Sequence, residues 1–112
     1  MIKFVIHSVK TPWGNVWHIL TNDGYGLCNL EYDEDNDDEL FIYGLSVYEI
    51  ARNKGYGTAL INQCERMAKK ACYDKVALEV DKTNTKLYNW YVKLGYEKVS
   101  EDEYNFKLIK NL

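Results

Sequence analysis

The chain has 112 residues, 46% of them hydrophobic and 28% charged, with a formal net charge of −3. Those figures fit one globular domain over residues 1–112 and exclude a disordered chain. No apolar run approaches the ~20 residues of a membrane span, and the acidic balance argues against a nucleic-acid binder.

Residues 2–9 alternate in part and read as a strand, with an apolar stretch shorter than a signal peptide's h-region. Thr11, Pro12, Trp13 and Gly14 form a turn. Residues 15–21 are β-rich and give a second strand. Asn22, Asp23 and Gly24 are a tight-hairpin signal, because a primed turn needs the positive φ that they tolerate. Residues 25–32 return as the third strand. Residues 31–39 then hold seven acids in nine, and the rest of the chain has ten acids against fourteen bases. This tract reads as a solvated turn or as a collar that attracts a basic partner. It is not an EF-hand loop, because Asp38 stands at the sixth position and Gly44 at the twelfth. Residues 40–47 make a fourth strand.

The second half changes period. Leu60, Cys64, Met67, Ala68 and Ala71 share one helical face, with Gln63, Arg66, Lys69 and Lys70 opposite. Residues 76–80 are a short buried-type strand. Thr83 or Asn84 can cap a helix running to Lys93, with Leu87, Tyr88, Tyr91 and Leu94 on its inner side and Gly95 ending it. Residues 99–109 hold a last hairpin, in which Tyr104, Phe106 and Leu108 alternate with Glu103, Asn105 and Lys107. The order is ββββαβαββ, an α+β fold with a mixed, mostly antiparallel sheet. Cys28, Cys64 and Cys72 are odd in number and lack CxxC spacing, so the expectation is a reducing cytoplasm, no disulfide framework and no metal site.

The most informative stretch joins the fourth strand to the first helix. It reads Leu45, Ser46, Val47, then Arg52, Asn53, Lys54, Gly55, Tyr56, Gly57 and Thr58. A strand enters a loop with two glycines, and the loop opens an amphipathic helix. Small residues let main-chain N–H groups approach a phosphate, and the helix N-terminus adds unpaired donors and a positive dipole end. This is the physics of a pyrophosphate cradle. It is not a Walker loop, since Gly-Lys-Ser/Thr is absent. It is not a dinucleotide fingerprint, since Leu60 sits where the third glycine belongs.

Arg52 to Gly57 resembles the Arg/Gln-x-x-Gly-x-Gly/Ala signature of the GCN5-related N-acetyltransferase (GNAT) family, with Leu45-x-Val47 before it. Leu78-Glu79-Val80, then Asn84, then Trp90 to Tyr96 resembles the second family motif. The wording is nearest the ribosomal-protein N-terminal acetyltransferase branch. The resemblance covers about residues 40–110 and implies a GNAT-like sheet that splays between strands four and five. It implies acetyl-CoA as co-substrate and an amine acceptor. The main chain of Leu45, Ser46 and Val47 would pair with the pantetheine arm. The amides of Arg52 to Thr58 would meet the pyrophosphate, with Gly55 and Gly57 giving clearance. Lys54 would reach a phosphate or remain solvated, and Asn84 would bond the pantetheine or cap its helix.

For the chemistry, the resemblance implies Glu79 as general base and Tyr91 as general acid. Glu79 lies opposite Val76, Leu78 and Val80 on its strand, and a carboxylate buried there would have a raised pKa suited to proton abstraction. Its other reading is that it holds backbone or opens to water. Tyr91's other reading is a core aromatic. Tyr43 stands in the region where many family members carry another glutamate. His7 and His18 read as plain strand residues.

The chain departs from the family between its first two strands, where two helices that wall the acceptor groove are missing. The expected consequences are an open groove for a protein segment, a groove completed by a second subunit, or loss of catalysis. Open sheet edges leave room for a homodimer. The leading reading is an N-acetyltransferase acting on a protein lysine or N-terminus, with a small amine such as a polyamine open within the same class. The alternatives are a catalytically silent acetyl-CoA-binding module and an interaction protein that uses the acidic tract.

Overall fold

The computed structural model describes residues 2–32 and 38–112, so the centre of the acidic tract lies outside the described residues. The elements are β1 (Phe4–Thr11), β2 (Gly14–Thr21), β3 (Gly26–Tyr32), β4 (Glu39–Val47), a 3-10 turn (Glu49–Ala51), α1 (Tyr56–Lys70), β5 (Lys75–Asp81), α2 (Thr85–Lys93), β6 (Glu97–Glu101) and β7 (Asn105–Asn111). Their order is the expected ββββαβαββ. The strands form one sheet in the order β1-β2-β3-β4-β5-β7-β6. Every neighbouring pair is antiparallel except β4 and β5.

Local chemistry sets the turns. Only Pro12 and Trp13 separate β1 from β2, and the Thr11 hydroxyl closes that hairpin on the Gly14 carbonyl at 2.7 Å. The missing helices leave no insertion at this point. The β2–β3 turn is one residue longer than the tight turn expected over 22–24. The Asp23 carboxylate accepts from the Thr21 hydroxyl at 2.7 Å and the Tyr25 N–H at 3.1 Å, and this stabilises a four-residue connection. Tyr104 was expected to alternate with Glu103 and Asn105 along the last hairpin. It sits 68% exposed in the β6–β7 turn, because Asp102 accepts from the Tyr104 and Asn105 N–H groups and delays the strand.

Helix α1 buries Leu60, Ile61, Cys64 and Ala68. Ala71, expected on that face, is exposed because the helix has already ended. It ends on Cys72 at φ 67, with Cys72 N–H on the Lys69 carbonyl and Tyr73 N–H on the Ala68 carbonyl, both at 3.0 Å. That is a Schellman cap without its usual glycine. Helix α2 starts on Asn84, whose side chain accepts from Leu87 N–H at 3.1 Å. It ends on Gly95 at φ 99, with the same paired cap through Val92 and Tyr91.

Both helices cover one face. Leu60, Ile61, Cys64, Ala68 and Tyr91 join Ile19, Cys28, Leu30, Leu40, Ile42, Val76, Leu78, Val80 and Leu108 in one core. Two right-handed crossovers moving the same way along a sheet must place their helices on the same side. Leu60 is fully buried, and truncation to Ala would cost about 2–5 kcal/mol. Asn29, Phe41, Tyr43, Ala77, Glu79 and Lys107 lie on the opposite face by register, where the described residues supply no helix.

Candidate functional site

The parallel junction is short. β4 and β5 pair only from Glu39↔Lys75 to Phe41↔Ala77, although both strands continue. The remainder of β4, residues 42–47, therefore splays away from β5 as expected. A bulge on β4 accompanies the splay: Gly44 and Leu45 together oppose Cys28 of β3. Gly44 lies at φ +66, and a Cβ there would come within 2.7 Å of the Asn29 side-chain nitrogen. A bulge of this kind re-aims the strand that carries it.

At the end of the splayed segment a crevice of about 530 Å³ opens. Val47, Ala51, Arg52 and Asn53 line one side, Gly55 to Thr58 line the helix end, and Leu87 and Trp90 close it from α2. Gly55 is the N-cap of α1 at φ +83, and no side chain caps the helix. The first bonded amide is that of Ala59, on the Gly55 carbonyl at 3.0 Å. The N–H groups of Tyr56, Gly57 and Thr58 thus have no partner among the described residues, and all three residues border the crevice. Unpaired N–H groups at a helix start form an anion site.

The loop refines the expected roles. Arg52 spends its amide on the Glu49 carbonyl at 3.2 Å, and its Nε on the Val47 carbonyl at 3.1 Å. Its amide is therefore not free for a phosphate, unlike those at the helix start. Gly57 also sits close to α2: a Cβ there would lie 3.3 Å from the Trp90 ring. Leu45, Ser46, Lys54 and Asn84 do not line the crevice. Leu45 packs against the core, Ser46 and Lys54 are exposed, and Asn84 caps α2.

Tyr56 also hydrogen-bonds through its hydroxyl to Asp23. That bond, followed by those from Thr21 and Tyr25, holds the Asp23 carboxyl below its ordinary range. The same bond pushes the Tyr56 phenol up.

Glu79 and Tyr91 lie on opposite sides of β5. Glu79 is exposed on the helix-free face, in a small cleft of about 120 Å³ with Ser100, Glu101, Asp102, Asn105 and Lys107. The expectation of a buried carboxylate in a central strand fails, because no helix among the described residues covers that face to remove water. Tyr91 is 5% exposed, with ring centroids 4.9 Å from Trp90 and 5.6 Å from Tyr96. Burial, aided by the nearby Cys28 and Cys64 thiols, pushes its phenol up to about 12. The structure does not bring the two residues into one cavity. On the helix-free face His18 bonds Asn29, and His7 is exposed on β1.

Trp90, Leu87 and Ala51 line the crevice, a place that the sequence reading did not assign to them. Helical periodicity marks Trp90 only as a flank of Tyr91, because its contact with Gly57 joins segments distant in the chain.

A sheet splayed at its one parallel junction, with a free helix N-terminus at the end of the gap, is the arrangement that the glycine-loop motif led us to expect for an acyl-group transferase. The chain belongs to the acetyltransferase (GNAT) family, whose model matches residues 12–96. No curated protein matches it in sequence. Solved structures share the fold. A GNAT family acetyltransferase from Elizabethkingia anophelis, with acetyl-CoA bound, superposes with a TM-score of 0.80 at 17% identity, over 99% of this chain and 98% of that one. The PaiA N-acetyltransferase of Thermoplasma acidophilum, in complex with coenzyme A, gives 0.74 at 18% identity over 87% of this chain. The match spans 60% of that protein's length. The IAA acetyltransferase of Bacillus cereus gives 0.75 at 14% identity, over 98% of this chain and 100% of that one.

Proposed function

We propose that the chain transfers the acetyl group of acetyl-CoA to a primary amine of a protein, a lysine side chain or an N-terminus. The observation that carries this is the trio of unpaired N–H groups at Tyr56, Gly57 and Thr58, facing a crevice at the end of a splayed strand. They fit a diphosphate, and the open main chain of β4 beyond Phe41 fits a pantetheine arm. Family membership and the two neighbours crystallised with coenzyme A or acetyl-CoA support the same cofactor.

In the reaction the amine nitrogen attacks the thioester carbonyl, the C–S bond breaks, and the amine proton leaves. Glu79, on the helix-free face, is the base for that proton, directly or through water. An amine with pKa ~10.4 is mostly protonated at neutral pH, so a base is required. Tyr91 acts from the opposite side. At about 12 its phenol is a weaker acid than a thiol of ~8.5. It therefore donates a hydrogen bond to the departing sulfur instead of surrendering its proton. The helix-free face leaves the acceptor side open, which favours a protein segment over an enclosed small amine.

Incubation with labelled acetyl-CoA and candidate protein substrates, read by intact mass, tests this. A mass gain of one acetyl group is expected, and silence across many proteins contradicts it. The separation of Glu79 from Tyr91 favours a second reading, a coenzyme-binding module without turnover. That reading predicts thermal stabilisation by acetyl-CoA with no product. The three free thiols suit a reducing compartment such as the cytoplasm.

We also infer a homodimer along β1. Edge β6 is short, bulged at Val99 and largely polar, which protects it. Edge β1 has eight residues in unbroken register with β2, and Val5, Ile6 and Val9 are exposed on it. Light scattering should give twice the chain mass, and Ile6→Lys should halve it. A monomer at all concentrations contradicts the inference.

A further inference from the structure

We propose that Asp23 is a positioning residue that holds the first turn of α1, through the Tyr56 hydroxyl, in register to receive a diphosphate; this rests on the coenzyme reading above. The two lips of the crevice are the end of β4 and the start of α1. The chain between them is a loop containing two residues of positive φ, Asn53 at 61 and Gly55 at 83. The β2–β3 turn touches both lips. On one side, the Tyr25 carbonyl accepts from Tyr48 N–H at 2.8 Å, and the two rings meet edge-on with centroids 6.2 Å apart. On the other, Asp23 accepts from the Tyr56 hydroxyl.

The turn itself is well braced. Asp23 also accepts from the Thr21 hydroxyl and from Tyr25 N–H, and the Thr21 oxygen accepts from Gly26 N–H at 3.0 Å. Each carboxylate oxygen is thus used, one inward on the turn and one outward on α1. Gly26 lets the helix sit close: a Cβ there would lie 3.0 Å from Leu60 and 3.5 Å from Tyr56. Tyr56 is the first residue of α1, so its ring fixes the orientation of the three unpaired N–H groups beside it.

Simple electrostatics gives the opposite sign. Asp23 is an anion tied to the rim of a proposed anion site, so removing its charge alone would tighten coenzyme A. Positioning predicts weaker binding, because N–H groups that wander lose hydrogen bonds to a charged ligand.

The test is calorimetric titration of coenzyme A, and of pantetheine as the diphosphate-free control, into wild type, Asp23→Ala, Tyr56→Phe and the double variant. Circular dichroism confirms that each variant is folded at the working temperature. Each single change should raise the Kd for coenzyme A about tenfold, the double variant should be no worse than the weaker single, and pantetheine should be unaffected. Unchanged or tighter coenzyme A binding by Asp23→Ala overturns the proposal. So does an equal loss for pantetheine, which marks general loosening. If wild type itself ignores coenzyme A, the coenzyme reading falls and this inference falls with it.

Discussion

The two faces of the sheet differ in how they are finished. One carries α1 and α2, a continuous core and the crevice at the start of α1. The other carries Glu79, Lys107, Phe41 and Tyr43 on strands that no helix of the described residues covers, with the Lys107 ammonium reaching the buried Glu39 carboxylate at 2.8 Å. The crevice is lined mainly by residues 47–58 and closed by Leu87 and Trp90 of α2, all of this chain. The face proposed for the acceptor presents side chains and depends on what comes to lie over them. Cofactor affinity should therefore be intrinsic to the chain, whereas turnover should depend on the acceptor.

The largest effect expected from that contrast is at Gly57. Glu at this position places a carboxylate at the helix N-terminus and a Cβ 3.3 Å from Trp90. Like charge across a binding site costs several kcal/mol, so the Kd for coenzyme A should rise at least about a hundredfold. Calorimetry that finds binding intact would break the comparison at its stronger side.

For the proposed base and hydrogen-bond donor, Glu79→Gln and Tyr91→Phe should each lower kcat by about a hundredfold and leave the KM for acetyl-CoA unchanged. Steady-state kinetics checks this. Undiminished modification by Glu79→Gln would mean that the helix-free face supplies no base.

Tyr91 also predicts a pH effect on stability. Its phenol rises from 10.0 to about 12 on folding, so the native state keeps a proton that the unfolded chain has lost. Its share of stability is whole below pH ~10 and is lost as pH rises through about 12, on the order of 2–3 kcal/mol. Urea melts across that window should show a loss that is smaller in Tyr91→Phe. An identical loss in both proteins would contradict the burial of this ring.

The smallest effect lies away from either face's chemistry. Cys72 occupies a left-handed cap position at φ 67. Cys72→Gly should add about 0.5–1 kcal/mol to stability in a thermal melt and leave coenzyme A binding alone.

The order of elements along the chain and both helices were legible because each follows from local pattern: alternation, a 3.6-residue period, Thr83 or Asn84 as a cap, Gly95 as a stop; the splay was expected from the family resemblance alone. The glycine loop was legible because its chemistry is main-chain chemistry. The Gly57–Trp90 contact and the Asp23–Tyr56 bond were not, since each joins residues more than thirty positions apart and no periodicity links them. Glu79 shows the same limit in reverse. Its face on β5 followed from alternation, but its exposure depends on the absence of any covering layer, which alternation does not report.

The central claim is that the amides of Tyr56, Gly57 and Thr58 hold a diphosphate. Titrating coenzyme A into nitrogen-15-labelled protein and following the amide resonances tests it most directly. The account predicts saturable shifts centred on those three amides. Resonances there that stay fixed, whether or not others move, would contradict it.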